Sequence, residues 1–176
     1  TQIVDIGAGS GMLGDWLGAT RPELTYRFHE LSPALDEMLT KRFGAAARLG
    51  PDERIGPTGT AAMLDVIQHN EAGRGMREQW CARMDSGAVL VVTVPAMQWA
   101  FSQFDIDLGH YRRYSRRTLR STLEAAGFVV DRCDYLFPEL LPLVIKRRLG
   151  PPADTVDMPR MSAWKNKVGY AISSST

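Results

Sequence analysis

The sequence predicts an α/β fold, in which a doubly wound, mostly parallel sheet lies between two layers of helices. Short apolar runs alternate along the chain with amphipathic helical patterns, as expected of βαβ units. A glycine-rich turn joins the first apolar run to the first helical pattern. The run Ala-Val-Leu-Val-Val-Thr-Val at 88–94 is typical of a parallel strand that is buried on both faces.

The elements of the first part of the chain follow from apolar spacing and from end signals. In order, we predict a strand at 1–6, a helix at 12–19, a strand at 24–29, a helix at 33–43 and a short strand at 46–49. Pro33 suits the first turn of the second helix, Ser32 its N-cap and Gly44 its end. Glycines and prolines at 50–59 predict a loop.

The second part of the chain repeats this alternation. In order, we predict a strand at 60–66, a helix at 75–84, the strand at 88–94, a helix that follows Ser115 and ends at Gly127, and a strand at 128–135. Ser115 and Thr118 have the spacing of a helix cap. We expect residues 1–149 to form one domain and residues 150–176 an extension.

Composition excludes several classes of protein. The chain has 176 residues, with 21 Lys+Arg against 20 Asp+Glu, so bulk charge gives no reason to expect nucleic-acid binding. Its two cysteines cannot form a disulfide framework, which favours a reducing, cytoplasmic compartment. Its three histidines and two cysteines show no metal-ligand spacing, so we expect no metal. The chain begins in a strand without Met, so we expect the natural protein to begin earlier.

Three glycines between the first strand and the first helix form the most informative motif. The run Val-Asp-Ile-Gly-Ala-Gly-Ser-Gly at 4–11 contains Gly7, Gly9 and Gly11. Glycine permits a tight turn and lets a ligand approach the backbone closely. The free N–H groups at the start of the next helix favour a negatively charged ligand group. The motif therefore indicates a nucleotide-type ligand.

The acids near this turn separate two kinds of nucleotide. Gly9, Gly11 and Gly14 have the spacing of dinucleotide folds, and Glu30 follows at a suitable distance, which would fit an NAD-type oxidoreductase. Asp5 would repel the pyrophosphate of such a cofactor but would suit a positive ammonium or sulfonium. We therefore favour S-adenosylmethionine. Two further alternatives remain. In one, the glycines form only a turn, Asp5 caps the loop and Glu30 is a solvated strand end; in the other, the chain is a non-catalytic nucleotide-binding domain.

Six motifs follow one another over roughly residues 1–148. They are the run at 4–11, His-Glu-Leu-Ser-Pro at 29–33, Leu-Asp-Val-Ile-Gln-His at 64–69, Thr-Val-Pro-Ala at 93–96, Leu-Gly-His-Tyr-Arg-Arg-Tyr-Ser at 108–115 and Ala-Ala-Gly-Phe at 125–128. In this order they resemble the class I S-adenosylmethionine-dependent methyltransferases, specifically bacterial type 11/12 sequences. The resemblance implies a Rossmann-like fold and methyl transfer to a small-molecule or lipid-like acceptor.

The resemblance also implies roles for individual residues. Those expected to bind the cofactor are Asp5, Gly7, Ala8, Gly9, Gly11, Glu30, Leu31 and Leu64. Among them, Glu30 would hold the ribose hydroxyls, Leu31 would lie against the adenine, and Leu64 would face the methionine end. Gln68 replaces the usual Glu of the family. The N-terminal helices that cover the cofactor in the family are absent from this sequence.

Acceptor and proton-transfer residues are less sharply indicated. His69 and His110 are candidate catalytic bases, since histidine titrates near neutral pH. We favour a backbone-bonding role for His69, because methyl transfer needs a base only when the acceptor is a poor nucleophile. Candidates for the acceptor pocket are Trp99, His110, Tyr111 and Tyr114, with packing as the equal alternative.

Two basic segments stand out in an otherwise neutral chain. Five arginines lie between Arg112 and Arg120, and Lys146, Arg147 and Arg148 follow a leucine-rich segment. A solvated helix face explains such segments most simply. The functional alternative is contact with phosphate on a substrate or at a membrane surface. The sequence does not indicate an oligomeric state.

Overall fold

Four parallel strands and four α-helices are found in the computed structural model, which describes residues 1–70 and 80–136 together with residues 139, 142 and 145. The strands are β1 (Gln2–Ile6), β2 (Thr25–His29), β3 (Thr60–Leu64) and β4 (Val89–Thr93). The helices are α1 (Met12–Thr20), α2 (Pro33–Phe43), α3 (Gln103–Asp107) and α4 (Arg116–Ala125). Single-turn 3₁₀ helices lie at Ala45–Ala47, Ile67–His69, Cys81–Arg83 and Gln98–Ala100.

The sheet has the order β2-β1-β3-β4, and every pair of neighbouring strands is parallel. From β1 the chain moves outward to β2 and then crosses to the opposite side of β1 to form β3. The carboxyl ends of β1 and β3 therefore flank a topological switch point, where open α/β sheets bind ligands. The predicted α/β class is confirmed as a Rossmann-like parallel sheet.

Apolar side chains cover both faces of the sheet. On one face Val4 and Met63 pack in a cluster with Leu123 of α4. On the other face Phe28 packs against Leu39 of α2. Because side chains alternate along a strand, neighbouring residues such as those of β1 and β2 point to opposite layers. Helices on both faces give the predicted three-layer arrangement.

The predicted short strand at 46–49 is wrong. Ala45–Ala47 forms a 3₁₀ turn, and Arg48 makes only an isolated parallel bridge to Phe28. Gly44, which ends α2 with φ +87°, redirects the chain immediately before these residues. Three alanines offer little of the branched surface that stabilises a strand.

The strand predicted at 88–94 is present as β4, but its expected burial on both faces is wrong. Val89 is 54% exposed and Val91 is 46% exposed. Among the described residues β4 pairs only with β3, so it lies at an edge of this sheet. Leu90 and Val92 point the other way and pack against the core.

Two further predictions fail in the second part of the chain. Residues 128–135 form no strand, and Val129 is almost fully exposed. The predicted helix at 75–84 is contradicted at its end, where Cys81–Arg83 is a 3₁₀ turn and Met84 is extended; its residues 75–79 lie outside the described part of the chain. Helix α3 was not predicted, because it has only five residues.

Several expectations fall on residues that are not described. Lys146–Arg148 and the extension at 150–176 lie outside the described residues. Within the described part of the chain, none of the helices has the length and apolar character that crossing a bilayer requires.

Candidate functional site

A cleft of about 1050 Å³ opens at the carboxyl ends of β1, β2 and β3. Seven of the eight predicted cofactor residues line it: Asp5, Gly7, Ala8, Gly9, Glu30, Leu31 and Leu64. These residues come from three separate strand ends, and the parallel order of the sheet brings them together. The cleft therefore lies at the topological switch point.

The glycine turn shapes one wall of the cleft. Gly7 has φ +71°, and its N–H donates to the carbonyl oxygen of His29 at 2.8 Å. A Cβ on Gly7 would lie 2.8 Å from a methyl group of Val66, so this position requires glycine for space as well as for conformation. Gly9 has φ +55°, yet a Cβ there would meet nothing within 4 Å. Gly9 thus exposes its backbone to the open side of the turn.

Gly11 and Gly14 have a packing role instead. A Cβ on Gly11 would lie 2.7 Å from Leu39, and one on Gly14 would lie 2.6 Å from Tyr26. Gly11, which was predicted to bind the cofactor, is buried and is not among the residues that line the cleft. These two glycines let α1 approach β2 and α2 closely.

Glu30 is held by three backbone N–H groups. One carboxylate oxygen accepts from Gly9 at 2.8 Å, and the other accepts from Leu31 and Ser32, each at 2.9 Å. A carboxylate offers about four acceptor positions, so three donors leave about one for a ligand. The predicted role of Glu30 was to hold the ribose hydroxyls. Its hydrogen bond to the glycine turn was not predicted.

Asp5 is a buried carboxylate at the end of β1. Its side chain is only 3% exposed, and the hydroxyl of Tyr26 donates to it at 3.1 Å. Burial raises the pKa of Asp5, the Tyr26 hydrogen bond lowers it, and the nearby charge of Glu30 raises it again; the net direction is upward. Burial and the charge of Asp5 together raise the pKa of the Tyr26 hydroxyl.

Two residues that the sequence analysis did not single out also line the cleft. Asp65 directly follows β3 and has φ +55°, a conformation that is strained for a residue with a side chain. Its N–H donates to the Thr93 carbonyl at 3.1 Å, which continues the pairing of β3 with β4. Trp80 is buried, with its ring 4.9 Å from that of His29. The positive φ of Asp65 was not predicted, because a non-glycine residue in this conformation leaves little signal in a sequence.

The two candidate histidines lie side by side, but only one lines the cleft. His69 lines it, and its Nδ1 lies 3.1 Å from the carbonyl oxygen of Gly109. The rings of His69 and His110 meet edge to face, with centroids 4.7 Å apart. His110 is turned toward Asp105, with Nδ1 3.2 Å from that carboxylate.

Asp105 organises the segment that carries His110. Its side chain is fully buried and accepts from Arg113 Nε at 2.8 Å and from the Ser102 backbone at 2.9 Å. Burial acts to raise its pKa, but the hydrogen bonds from Arg113, His110 and Ser102 outweigh this, so the pKa of Asp105 is lowered. The sequence analysis did not identify Asp105, because nothing in its local pattern marks a buried acid.

The structure separates the predicted acceptor-pocket residues. Tyr114 is buried, lines the cleft, and has its hydroxyl 3.5 Å from the Ile67 carbonyl. Trp99 is 51% exposed and Tyr111 is 52% exposed, and neither lines the cleft. The Tyr111 backbone N–H instead donates to the Gln68 carbonyl at 2.9 Å.

The arginine cluster at 112–120 is largely engaged within the chain. Arg113 pairs with Asp105, Arg116 stacks over the ring of Tyr135, and Arg120 donates to the Val130 carbonyl. These contacts favour a structural role for the three side chains over contact with phosphate.

No cluster of three or more His, Cys, Asp or Glu side chains that could hold a metal ion occurs among the residues that the structure describes. Comparison of the chain with protein-family models and with curated proteins found no match.

Proposed function

We propose that the chain binds S-adenosylmethionine in the cleft and transfers its methyl group to a small-molecule acceptor. The observation that carries this proposal is the pair of carboxylates beside the glycine turn. Asp5 is buried at the end of β1, and Glu30 holds the Gly9 amide. Two acids at this position favour a ligand with a cationic centre and hydroxyl groups.

The same geometry disfavours an NAD-type cofactor. In dinucleotide folds the pyrophosphate lies against the glycine turn and the start of the following helix. Here the Gly9 N–H already donates to Glu30 at 2.8 Å. A pyrophosphate would have to displace this carboxylate and then lie beside two negative charges. We therefore rank the oxidoreductase second.

The residues present fit the proposed cofactor. Gly9 leaves open space above the turn, Glu30 keeps about one acceptor position, and Leu31, which is 83% exposed, offers an apolar surface at the mouth of the cleft. A cleft of about 1050 Å³ is at the upper end of the range for ligand pockets, so it has room for a nucleoside and part of an acceptor.

When bound, S-adenosylmethionine supplies a methyl group on a positively charged sulfur, which needs little further activation. The protein then has to orient the two reactants and exclude water, and such positioning can lower a barrier by about 7–11 kcal/mol in favourable cases. Asp5 stabilises positive charge and Glu30 keeps the glycine turn in place.

Both cysteines are free in the structure, and a cytoplasmic site of action remains part of this proposal.

Isothermal titration calorimetry of the 176-residue chain with S-adenosylmethionine, S-adenosylhomocysteine and NAD tests the proposal. We expect binding of the first two ligands and no signal with NAD. Asp5→Asn should weaken S-adenosylmethionine more than S-adenosylhomocysteine, because only the former is a sulfonium. Binding of NAD alone would contradict the proposal.

A further inference from the structure

His69 is held by a hydrogen bond at one of its two ring nitrogens. It ends the 3₁₀ turn Ile67–His69 that follows β3, and it lines the cleft. Its Nδ1 lies 3.1 Å from the Gly109 carbonyl oxygen. A carbonyl can only accept, so Nδ1 must carry the proton in this contact. In the neutral ring Nε2 then keeps its lone pair and can accept a proton.

The partner of His69 is itself fixed by the backbone. Gly109 has φ +74°, and its N–H donates to the Ile106 carbonyl at 2.8 Å. Two residues further along, the Tyr111 N–H donates to the Gln68 carbonyl at 2.9 Å. Backbone hydrogen bonds on both sides of Gly109 therefore fix the loop after α3. They keep the Gly109 carbonyl directed toward His69.

Ionisable groups also approach the His69 ring from the neighbouring segment. The His110 ring meets it edge to face, and behind His110 lies the buried carboxylate of Asp105, which is paired with Arg113. On the cleft side, Asp65 lies between β3 and the turn that carries His69. Through His110, the His69 ring is therefore connected to the buried ion pair of Asp105 and Arg113.

We propose that His69 is the general base of the reaction and that the acceptor is a hydroxyl compound, a phenol or an alcohol. This inference rests on the proposed methyl transfer. The hydroxyl proton goes to His69 Nε2, the hydroxyl oxygen bonds to the methyl carbon, and the electron pair of the broken carbon–sulfur bond stays on sulfur. The products are a methyl ether, the neutral thioether and a protonated His69, which returns its proton to water. Thiolates and tertiary amines need no such base.

Histidine NMR tests the required tautomer without any turnover. In the chain labelled with ¹⁵N at histidine, and at a pH where His69 is neutral, we expect a protonated Nδ1 and an unprotonated Nε2. The signal is assigned as the one lost in His69→Asn. A protonated Nε2 in the neutral ring would overturn the proposal.

The His69→Asn variant separates the base from the backbone contact. The amide nitrogen of Asn can replace Nδ1 as donor to Gly109, but Asn has no basic nitrogen in place of Nε2. We test methylation of phenol, which keeps its proton at neutral pH, and of 4-nitrophenol assayed above its pKa, where it is already ionised. With phenol we expect a loss of about 100-fold or more, and with ionised 4-nitrophenol less than about tenfold.

Calorimetry with S-adenosylhomocysteine separates failure of this inference from failure of the proposed function. We expect its affinity for the variant to stay within about twofold of wild type, since neither proposed cofactor carboxylate is changed. Equal losses with both probes, or no loss, would overturn the role of His69. If the wild-type chain binds S-adenosylhomocysteine but methylates neither phenol nor 4-nitrophenol, the assignment of a hydroxyl compound as acceptor would be overturned. Absence of binding would overturn the proposed function itself.

Discussion

The Glu30 carboxylate accepts the Gly9 N–H at 2.8 Å and so joins the end of β2 to the glycine turn that follows β1. Its second oxygen accepts the N–H groups that precede α2. One side chain thus holds the two loops that border the cleft. Loss of this carboxylate should affect both the stability of the turn and the affinity for a ligand.

Glu30→Ala should weaken binding of S-adenosylhomocysteine by about 1–3 kcal/mol, because it removes an acceptor for the ribose and frees the Gly9 amide. Calorimetry measures the affinity, and thermal denaturation measures the accompanying loss of stability. Glu37→Ala on α2 is the control, since Glu37 is 68% exposed and pairs only with Lys41 among the contacts found for it. The binding free energy and the free energy of unfolding of the control should each stay within about 0.5 kcal/mol of wild type. An unchanged affinity of Glu30→Ala would remove Glu30 from the site.

Asp5→Asn should raise the thermal midpoint at pH 7 while weakening S-adenosylmethionine. Burial raises the pKa of Asp5 above its ordinary value of 3.8, so ionisation opposes folding. The free energy of unfolding of the wild type should therefore fall as pH rises from about 4 through the pKa in the folded state. The variant has no charge to bury and should lack this fall, so its advantage should disappear below about pH 4.

Tyr26→Phe provides the matched control for Asp5. It removes the hydroxyl that donates to the buried carboxylate at 3.1 Å. At pH 7 we expect a loss of stability of about 1–3 kcal/mol, since a hydrogen bond to a charged group is lost. Stabilisation by Tyr26→Phe, or destabilisation by Asp5→Asn at pH 7, would contradict the burial of a charged Asp5.

Much of the sheet and of the cleft could be predicted because local chemistry specifies it. Ser32, Pro33 and Gly44 mark the ends of α2, which has the bounds that they predict. Asp5 and Glu30 follow apolar strands, and parallel strands bring such ends to one edge of the sheet.

The remainder depends on contacts between segments that are distant in sequence. Val89 and Val91 have the composition of a buried strand, but the position of β4 at an edge of the described sheet leaves them exposed. Asp105 is buried because Arg113 and His110, in the loop that follows α3, contact its carboxylate. Neither outcome is visible in a local window of sequence.

Two glycines in α1 should respond in opposite directions to replacement by alanine. A Cβ on Gly14 would lie 2.6 Å from the ring of Tyr26, whereas one on Gly18 would meet nothing within 4 Å. Gly18→Ala should stabilise the chain by about 0.5–1 kcal/mol, because alanine is the better helix former. Gly14→Ala should destabilise it by about 1–3 kcal/mol through overpacking. Chemical denaturation measures both values, and equal effects would contradict the close approach of α1 to β2.

Asp105→Asn should destabilise the chain by about 3 kcal/mol at pH 7, because it leaves Arg113 without its buried partner. Glu124→Gln is the control, since the Arg120–Glu124 pair is about half exposed and its loss should cost less than about 1 kcal/mol. The pKa of Asp105 is lowered from its ordinary 3.8, so its contribution is present above that value and is lost as pH falls through the lower pKa of the folded state. The difference between wild type and variant should therefore shrink below about pH 4. A difference that persists undiminished at pH 2 would show that Asp105 acts through packing and not through its charge.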